Sequence, residues 1–249
     1  MSGHSKWAGI KHKKAIVDAR RGQQFTKLAR AITVAAREGS GDIEANAALA
    51  NAVHKARDAS MPKDNIERAI AKGTGAGADV EAIETVLYEA YGPGGVALLI
   101  EAYTDNRNRT GADVRHLLSR AGSSLGEPGS VSYLFEKRGV VTVDASRYSE
   151  DDLLVAIEAG ALDIEADDDV FEVICEPGDL SAVRAALEAS AVELESAELV
   201  QRPTVRVELE EEDAGKLFRL IESLEENDDV GAVHANFEVS DEILERVAG

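Results

Sequence analysis

The sequence holds a single cysteine, Cys175, so no internal disulfide can form and a Cys-rich zinc site is excluded. A reducing, cytoplasmic setting follows as the expectation. Long apolar runs are missing as well: a stretch such as Val96–Ile100 is far short of the ~20 residues that a membrane span needs, so no membrane partner is expected. The opening segment MSGHSKWAGIKHKK lacks the apolar core of a signal peptide. Catalytic constellations are equally scarce. The five histidines are scattered, and none sits in a Ser, Cys or carboxylate pattern that would make a catalytic set. The spaced glycines Gly73, Gly75 and Gly77 follow a helical pattern rather than a strand, so they are no dinucleotide fingerprint. Gly92-Pro93-Gly94-Gly95 has no Lys-Ser/Thr behind it and is no phosphate loop. Asp167-Asp168-Asp169 lacks cation-ligand spacing and reads as a solvated turn. Ser2-Gly3-His4 matches a terminal Cu(II)/Ni(II) chelate only incidentally. No enzyme activity, cofactor, metal or small-molecule substrate is therefore expected.

Positive charge is scarce too, but unevenly so. The net charge is −20, yet the first 37 residues hold nine Lys and Arg against one acidic residue. Residues 81–249 hold 13 against 39. Such segregation points to an anionic partner at the basic end and a self-solubilising body at the other. With 44% hydrophobic and 30% charged residues and regular periodicity through most of the chain, the protein is globular rather than disordered.

Residues 1–24 carry a basic arm without a clear core stripe. From Phe25 the helical period is clean, with Phe25, Leu28, Ala29, Ile32, Ala35 and Ala36 on one face until Gly39-Ser40-Gly41. Ala45, Ala48, Leu49, Ala52, Val53 and Ala56 mark a second helix; Ile66, Ala69 and Ile70 mark a third after Pro62. Three Ala-rich faces predict a compact bundle over 1–78, closed by a glycine-rich linker. Strands are predicted at Thr85–Tyr91 and Val96–Tyr103 around the Gly92–Gly95 turn, with a helix near Thr110–Ala121 and a further strand at Ser130–Phe135. Residues 138–202 then run strand, helix, strand, helix, strand, with room for one more strand near Leu162–Ile164, a ferredoxin-like order. A final strand, helix and strand (Val205–Leu209, Asp213–Glu225, Val230–Val239) is too small to stand alone. It is expected to complete the sheet begun earlier, so that 79–137 plus 203–240 form one discontinuous α/β domain and 138–202 an acidic insertion. Residues 241–249 form a C-terminal helical end. The predicted class is α+β and multidomain.

Three groups of residues are candidates for contacting nucleic acid. The arm Lys6, Trp7, Lys11, His12, Lys13 and Lys14, continuing to Arg20 and Arg21, offers cations for phosphates and an indole for stacking; the alternative is a solvated tail whose Trp7 packs on the bundle. On the first bundle helix, at ~100° per residue, Lys27, Arg30 and Arg37 centre roughly opposite the apolar stripe. They form either a phosphate-docking face or an ordinary solvated one. Arg107 and Arg109, in the segment Asp105–Gly111 at a predicted helix start, suit phosphate contact or pairing with the body's carboxylates.

Several of these segments carry a family likeness. Met1–Lys14, Phe25–Glu38, Met61–Gly73, Tyr88–Gly95, Tyr103–Thr110, Gly129–Phe135 and Leu217–Val230 resemble the YebC/PmpR family in order along essentially the whole chain. The resemblance implies an N-terminal helical bundle, a discontinuous α/β middle domain and an inserted ferredoxin-like domain. Family members are described as DNA-binding transcriptional regulators, whereas mitochondrial relatives look like translational activators of cytochrome oxidase. Bacterial relatives have also been associated with ribosomes and proline-rich stretches. The implied partner is thus nucleic acid, either DNA or ribosomal RNA on the ribosome.

Overall fold

The computed structural model of the protein describes residues 18–75, 83–167 and 169–248, with residues 18–21, 167, 241, 245 and 248 described by their backbone alone. Among the described residues three helices come first: α1 (Asp18–Glu38), α2 (Ala47–Asp58) and α3 (Lys63–Gly73). Helix α1 reaches back past Phe25, so the segment expected as arm up to residue 24 is helical from Asp18. The polar run Asp18–Gln24 shows no apolar stripe because helix propagation needs only good formers once the packed turns downstream nucleate it. Ile32, Ala36, Leu49, Val53, Ala56 and Ile66 form the bundle core. Each large aliphatic among them contributes about 1.5–3 kcal/mol on burial. Asn46 caps α2 by accepting from the Leu49 N–H (3.1 Å), while its amide donates to the carbonyls of Ala35 and Ser40 (both 2.8 Å) and so binds α2 to the end of α1. Gly73 ends α3 in close contact with α1, where a Cβ would stand 2.3 Å from the Thr33 carbonyl oxygen.

The middle domain is discontinuous. Strands β1 (Glu84–Tyr91) and β2 (Ala97–Thr104) form a hairpin whose turn uses positive φ at Gly94 and Gly95. Helix α4 (Arg107–Arg120) and the short β3 (Ser124–Leu125) follow. The expected strand at Ser130–Phe135 is instead a 3₁₀ turn (Ser132–Leu134). Two oxygens of the buried Glu89 hold it in place by accepting from the amides of Gly129 (2.6 Å), Val131 (2.7 Å) and Ser132 (2.8 Å).

The chain then forms the ferredoxin-like domain: β4 (Phe135–Asp144), the broken helix α5 (Glu150–Leu153) and α6 (Val155–Glu158), β5 (Ala161–Asp167), β6 (Val170–Cys175), α7 (Leu180–Ala189) and β7 (Ser196–Pro203). Its antiparallel sheet runs β5-β6-β4-β7, the split βαββαβ order. Val141, Val143, Leu153, Val173, Val183 and Leu187 fill its core.

Returning to the middle domain, β8 (Val207–Glu208) leads into α8 (Glu211–Glu225), β9 (Val230–Ala235), β10 (Phe237–Glu238) and α9 (Asp241–Ala248). Strand β9 joins β2, completing the order β3-β1-β2-β9. The expected single strand Val230–Val239 is broken at buried Asn236, whose side chain accepts from the Ala97 amide (2.7 Å) and donates to the Val205 carbonyl (3.1 Å). Leu98, Ile100, Val114, Leu118, Leu217, Ile221 and Phe237 form the core under α4 and α8.

Candidate nucleic-acid interface

Helix α1 meets the bundle core with one face and the rest of the molecule with another. Gln23 donates to the Glu226 carbonyl (2.6 Å) and to Asp228 Oδ1 (2.7 Å). The Lys27 ammonium donates to the Glu225 carbonyl. Arg30 Nη1 donates to the Asp228 carbonyl (2.8 Å) and Asp229 Oδ1 (2.6 Å), and Arg37 Nη1 to the Ile83 carbonyl (2.9 Å). These acceptors lie mostly at the end of α8, whose last carbonyls have no partner within the helix and carry its negative pole. Gln23 and Lys27 therefore cap α8, and Arg30 binds the turn that follows it. In place of a face open throughout to solvent or phosphates, Lys27 and Arg30 hold the bundle on the body, while Arg37 stays exposed and reaches the Ile83 carbonyl.

Asp229 is the centre of that contact. Its side chain is only 6% exposed. Oδ1 takes Arg30, and Oδ2 takes Arg109 Nη2 (2.8 Å) and the Thr110 hydroxyl (2.6 Å). Its backbone oxygen accepts from the Tyr103 amide (2.7 Å). Burial disfavours its charge, but hydrogen bonds from Thr110, Arg109 and Arg30, with the Arg30 charge, outweigh it and hold the carboxyl below the usual range. The carboxylate thus joins α1 to α4, and the backbone of the same residue ties the turn to the end of β2.

The Asp105–Gly111 segment opens α4, where Asn106 accepts from the Arg109 amide (3.1 Å) as its cap. Arg109 also pairs with Asp105 (2.8 Å), and Arg107 Nε with Glu84 (2.7 Å). Both arginines pair with carboxylates, and both side chains stay about half exposed or more, at 62% and 47%. Farther along the helix, Arg115, His116 and Arg120 are exposed.

Two family models match: "TACO1/YebC protein N-terminal domain" over residues 5–76 and "TACO1/YebC second and third domain" over residues 83–237. The chain belongs to the TACO1/YebC family. It is 54% identical over 250 residues to a "Probable transcriptional regulatory protein" of Rubrobacter xylanophilus, with all of both chains covered. A protein of the same name from Acidothermus cellulolyticus is 54% identical over 99% of this chain and 100% of its own. The crystal structure of a conserved hypothetical protein from Aquifex aeolicus superimposes with a TM-score of 0.81 at 46% identity, covering 92% of this chain and 95% of that one.

In this YebC-family protein the remaining predicted residues divide by position. Lys6, Trp7, Lys11, His12, Lys13 and Lys14 lie outside the described residues, and Arg20 and Arg21 fall in the first turns of α1 with their backbone alone described. Lys27, Arg30, Arg107 and Arg109 converge around the 225–229 turn and the start of α4, while Arg37 reaches the entry to β1. Sequence reasoning missed Asp229 and Gln23. Nothing in the local pattern separates Asp229 from the other carboxylates among 47, and only the approach of three elements gives it its role. No helix of the described residues is long and apolar enough to cross a membrane.

Proposed function

We propose that the protein is a nucleic-acid-binding regulator of gene expression, of the DNA-binding transcriptional kind that its relatives' names describe, and that it engages phosphates with the segment Lys6–Arg21. The observation that carries this reading is charge segregation: residues 1–21 hold six Lys and Arg against Asp18 alone, on a chain whose net charge is −20. Cations concentrated in one segment release counterions from a polyanion, while the acidic remainder limits non-specific wrapping. The role is one of binding, with no catalytic step, and the lone buried Cys175 suits a reducing cytoplasm.

A specific observation favours a second reading, in which the target is RNA on the ribosome. Lys27 and Arg30, the cations of α1 that could otherwise add to a DNA-docking face, are turned onto the end of α8 and Asp229. What remains is an arm of Lys, His and Trp, suited to shape-based contact with unpaired RNA. Sedimentation with ribosomes across a salt series, beside binding to promoter fragments and random duplex DNA, separates the two. Saturable binding to particular promoters well above random DNA, without ribosome association, makes it a transcriptional regulator. Co-sedimentation that persists near physiological salt, with weak DNA binding, makes it a translation factor. Charge reversal at Lys11, Lys13 and Lys14 should abolish whichever association is found, and unchanged association would refute the role of the arm.

A further inference from the structure

Helix α4 is an island of positive charge on the acidic body. It holds four of the 13 Lys and Arg in residues 81–249, against Asp113 alone among acidic residues. Most other cations of the body are spent on carboxylates: Arg138, Arg147, Arg184, Arg202, Lys216 and Arg246 all form ion pairs. Arg115, His116 and Arg120 are exposed and make neither an ion pair nor a side-chain hydrogen bond with the described residues. With carboxylates in threefold excess, pairing is the default fate of an arginine here, so two unpaired guanidiniums on one helix mark a surface kept open to an external anion.

The helix geometry makes that surface continuous. Val114, Leu118 and Thr110 are buried. At ~100° per residue, His116, Arg109 and Arg120 lie within about 60° of the direction opposite this stripe, and Arg115 within about 80°. The cations extend over a helix about 20 Å long at ~1.5 Å per residue. Arg107 and Arg109, though paired with Glu84 and Asp105, stand at its start and keep exposed edges.

We infer that the exposed face of α4 is a second nucleic-acid contact, taking the phosphates of a single RNA strand. This rests on the proposed nucleic-acid role and extends it from the arm to the middle domain. A single strand is favoured over duplex DNA because α8, which packs beside α4, carries Glu211, Glu212, Asp213, Glu222 and Glu225 against Lys216 and Arg219, a net negative charge. A helix seated in a major groove has phosphates along both flanks, and one flank would then face these carboxylates. A single strand crossing the exposed face obliquely meets Arg115 on one side and Arg109 and Arg120 on the other without needing a second flank, and the His116 and Ser119 side chains between them can reach the 2′-hydroxyls that distinguish RNA.

The test uses the full-length protein and a fluorescent oligouridylate of about 16 nucleotides, with a duplex DNA of random sequence beside it. The double variant Arg115→Gln/Arg120→Gln removes two phosphate contacts. It should weaken RNA binding roughly tenfold at low salt and lower the slope of log affinity against log salt by about 1.4, at about 0.7 per single-strand phosphate. Arg115→Lys/Arg120→Lys should keep the slope, because it keeps the charge. An arm variant, Lys11→Glu/Lys13→Glu/Lys14→Glu, is measured in parallel. If the arm variant loses binding while the glutamine variant matches the wild type, the α4 contact is refuted and the proposed function stands. If neither variant loses binding, both readings fall. A lysine variant as weak as the glutamine one, or an equal loss on duplex DNA, would also overturn the RNA-strand assignment.

Discussion

The buried Asp229 carboxylate should be a main determinant of how firmly the bundle is seated. Asp229→Ala removes the common acceptor of Arg30, Arg109 and Thr110. Thr110 is fully buried, so its hydroxyl loses one partner where water cannot replace it, and Arg30 is left mostly buried beside an empty site. Leaving one member of a buried pair costs about 3–5 kcal/mol. Arg109, half exposed, is rehydrated and adds little. The expected loss is about 3 kcal/mol, which lowers the melting temperature of a chain this size by about 6–12 °C. Asp229→Asn keeps one carbonyl acceptor but turns an amide donor toward donors, and should cost about half as much.

The acid limb of the stability curve checks the same contact independently. The folded Asp229 carboxyl is held below its ordinary range. Its contribution is therefore complete above the unfolded value of about 3.9 and is lost as pH falls through the lower, folded value. Below about pH 4 the wild type should lose stability more steeply than Asp229→Asn. Thermal melts from pH 7 to pH 2.5, with hydrogen exchange on α1, provide the assay. Exchange in Gln23–Arg37 should accelerate in Asp229→Ala, while β6 is unaffected. A melting temperature within about 1 °C of wild type, or an identical acid profile for Asp229→Asn, would refute the reasoning.

Further consequences follow for other sites. Glu89→Ala should lower stability by about 2–4 kcal/mol, because three amides of the 129–132 turn lose their acceptor; urea unfolding would show it. Burial opposes the charge of Glu89, but those amides prevail and hold its carboxyl low, so its contribution too is present above the ordinary carboxylate range and lost on acidification. Gly73→Ala should destabilise the bundle by about 1–3 kcal/mol, since the new Cβ would stand 2.3 Å from the Thr33 oxygen and 2.7 Å from the Ala36 Cβ. Gly215→Ala, where the nearest atoms lie at 3.6 Å within α8, should instead stabilise by about 0.5–1 kcal/mol in the same melts. Burial first, and then Asp179 and Glu176, push the Cys175 thiol up to about 11. Iodoacetamide at pH 8 should therefore label it only after denaturation, and rapid native labelling would contradict its burial.

The helical bundle was legible because its faces repeat at the helical period: Ile32, Ala36, Leu49, Val53 and Ile66 lie in the core as their spacing predicts. The ferredoxin-like order was legible for a similar reason, since β4, β6 and β7 are apolar segments separated by amphipathic helices. Strand β5 is only weakly legible, because its acidic residues on an edge strand dilute the apolar signal. The turn at Ser132–Leu134 reads as a strand by local propensity, whereas Glu89, more than forty residues upstream, sets the backbone. Likewise Asn236, hydrogen-bonded to β2, breaks a strand that its neighbours favour.

Taken alone, the sequence determined the α+β class, the three cores and the segregation of charge, because periodicity and charge are properties of neighbours along the chain. Only the tertiary structure decided what the charges are for. Lys27, Arg30 and Arg37 look free on a helical wheel, and nothing local says that the end of α8 and Asp229 will lie against the first two, or the Ile83 carbonyl against the third. Arg109 and Arg115 share one helix, yet Arg109 meets a buried carboxylate and Arg115 meets none. A side chain's partner depends on which distant segments the folded cores bring within a few ångströms, and a wheel drawn from one segment carries no information about that distance.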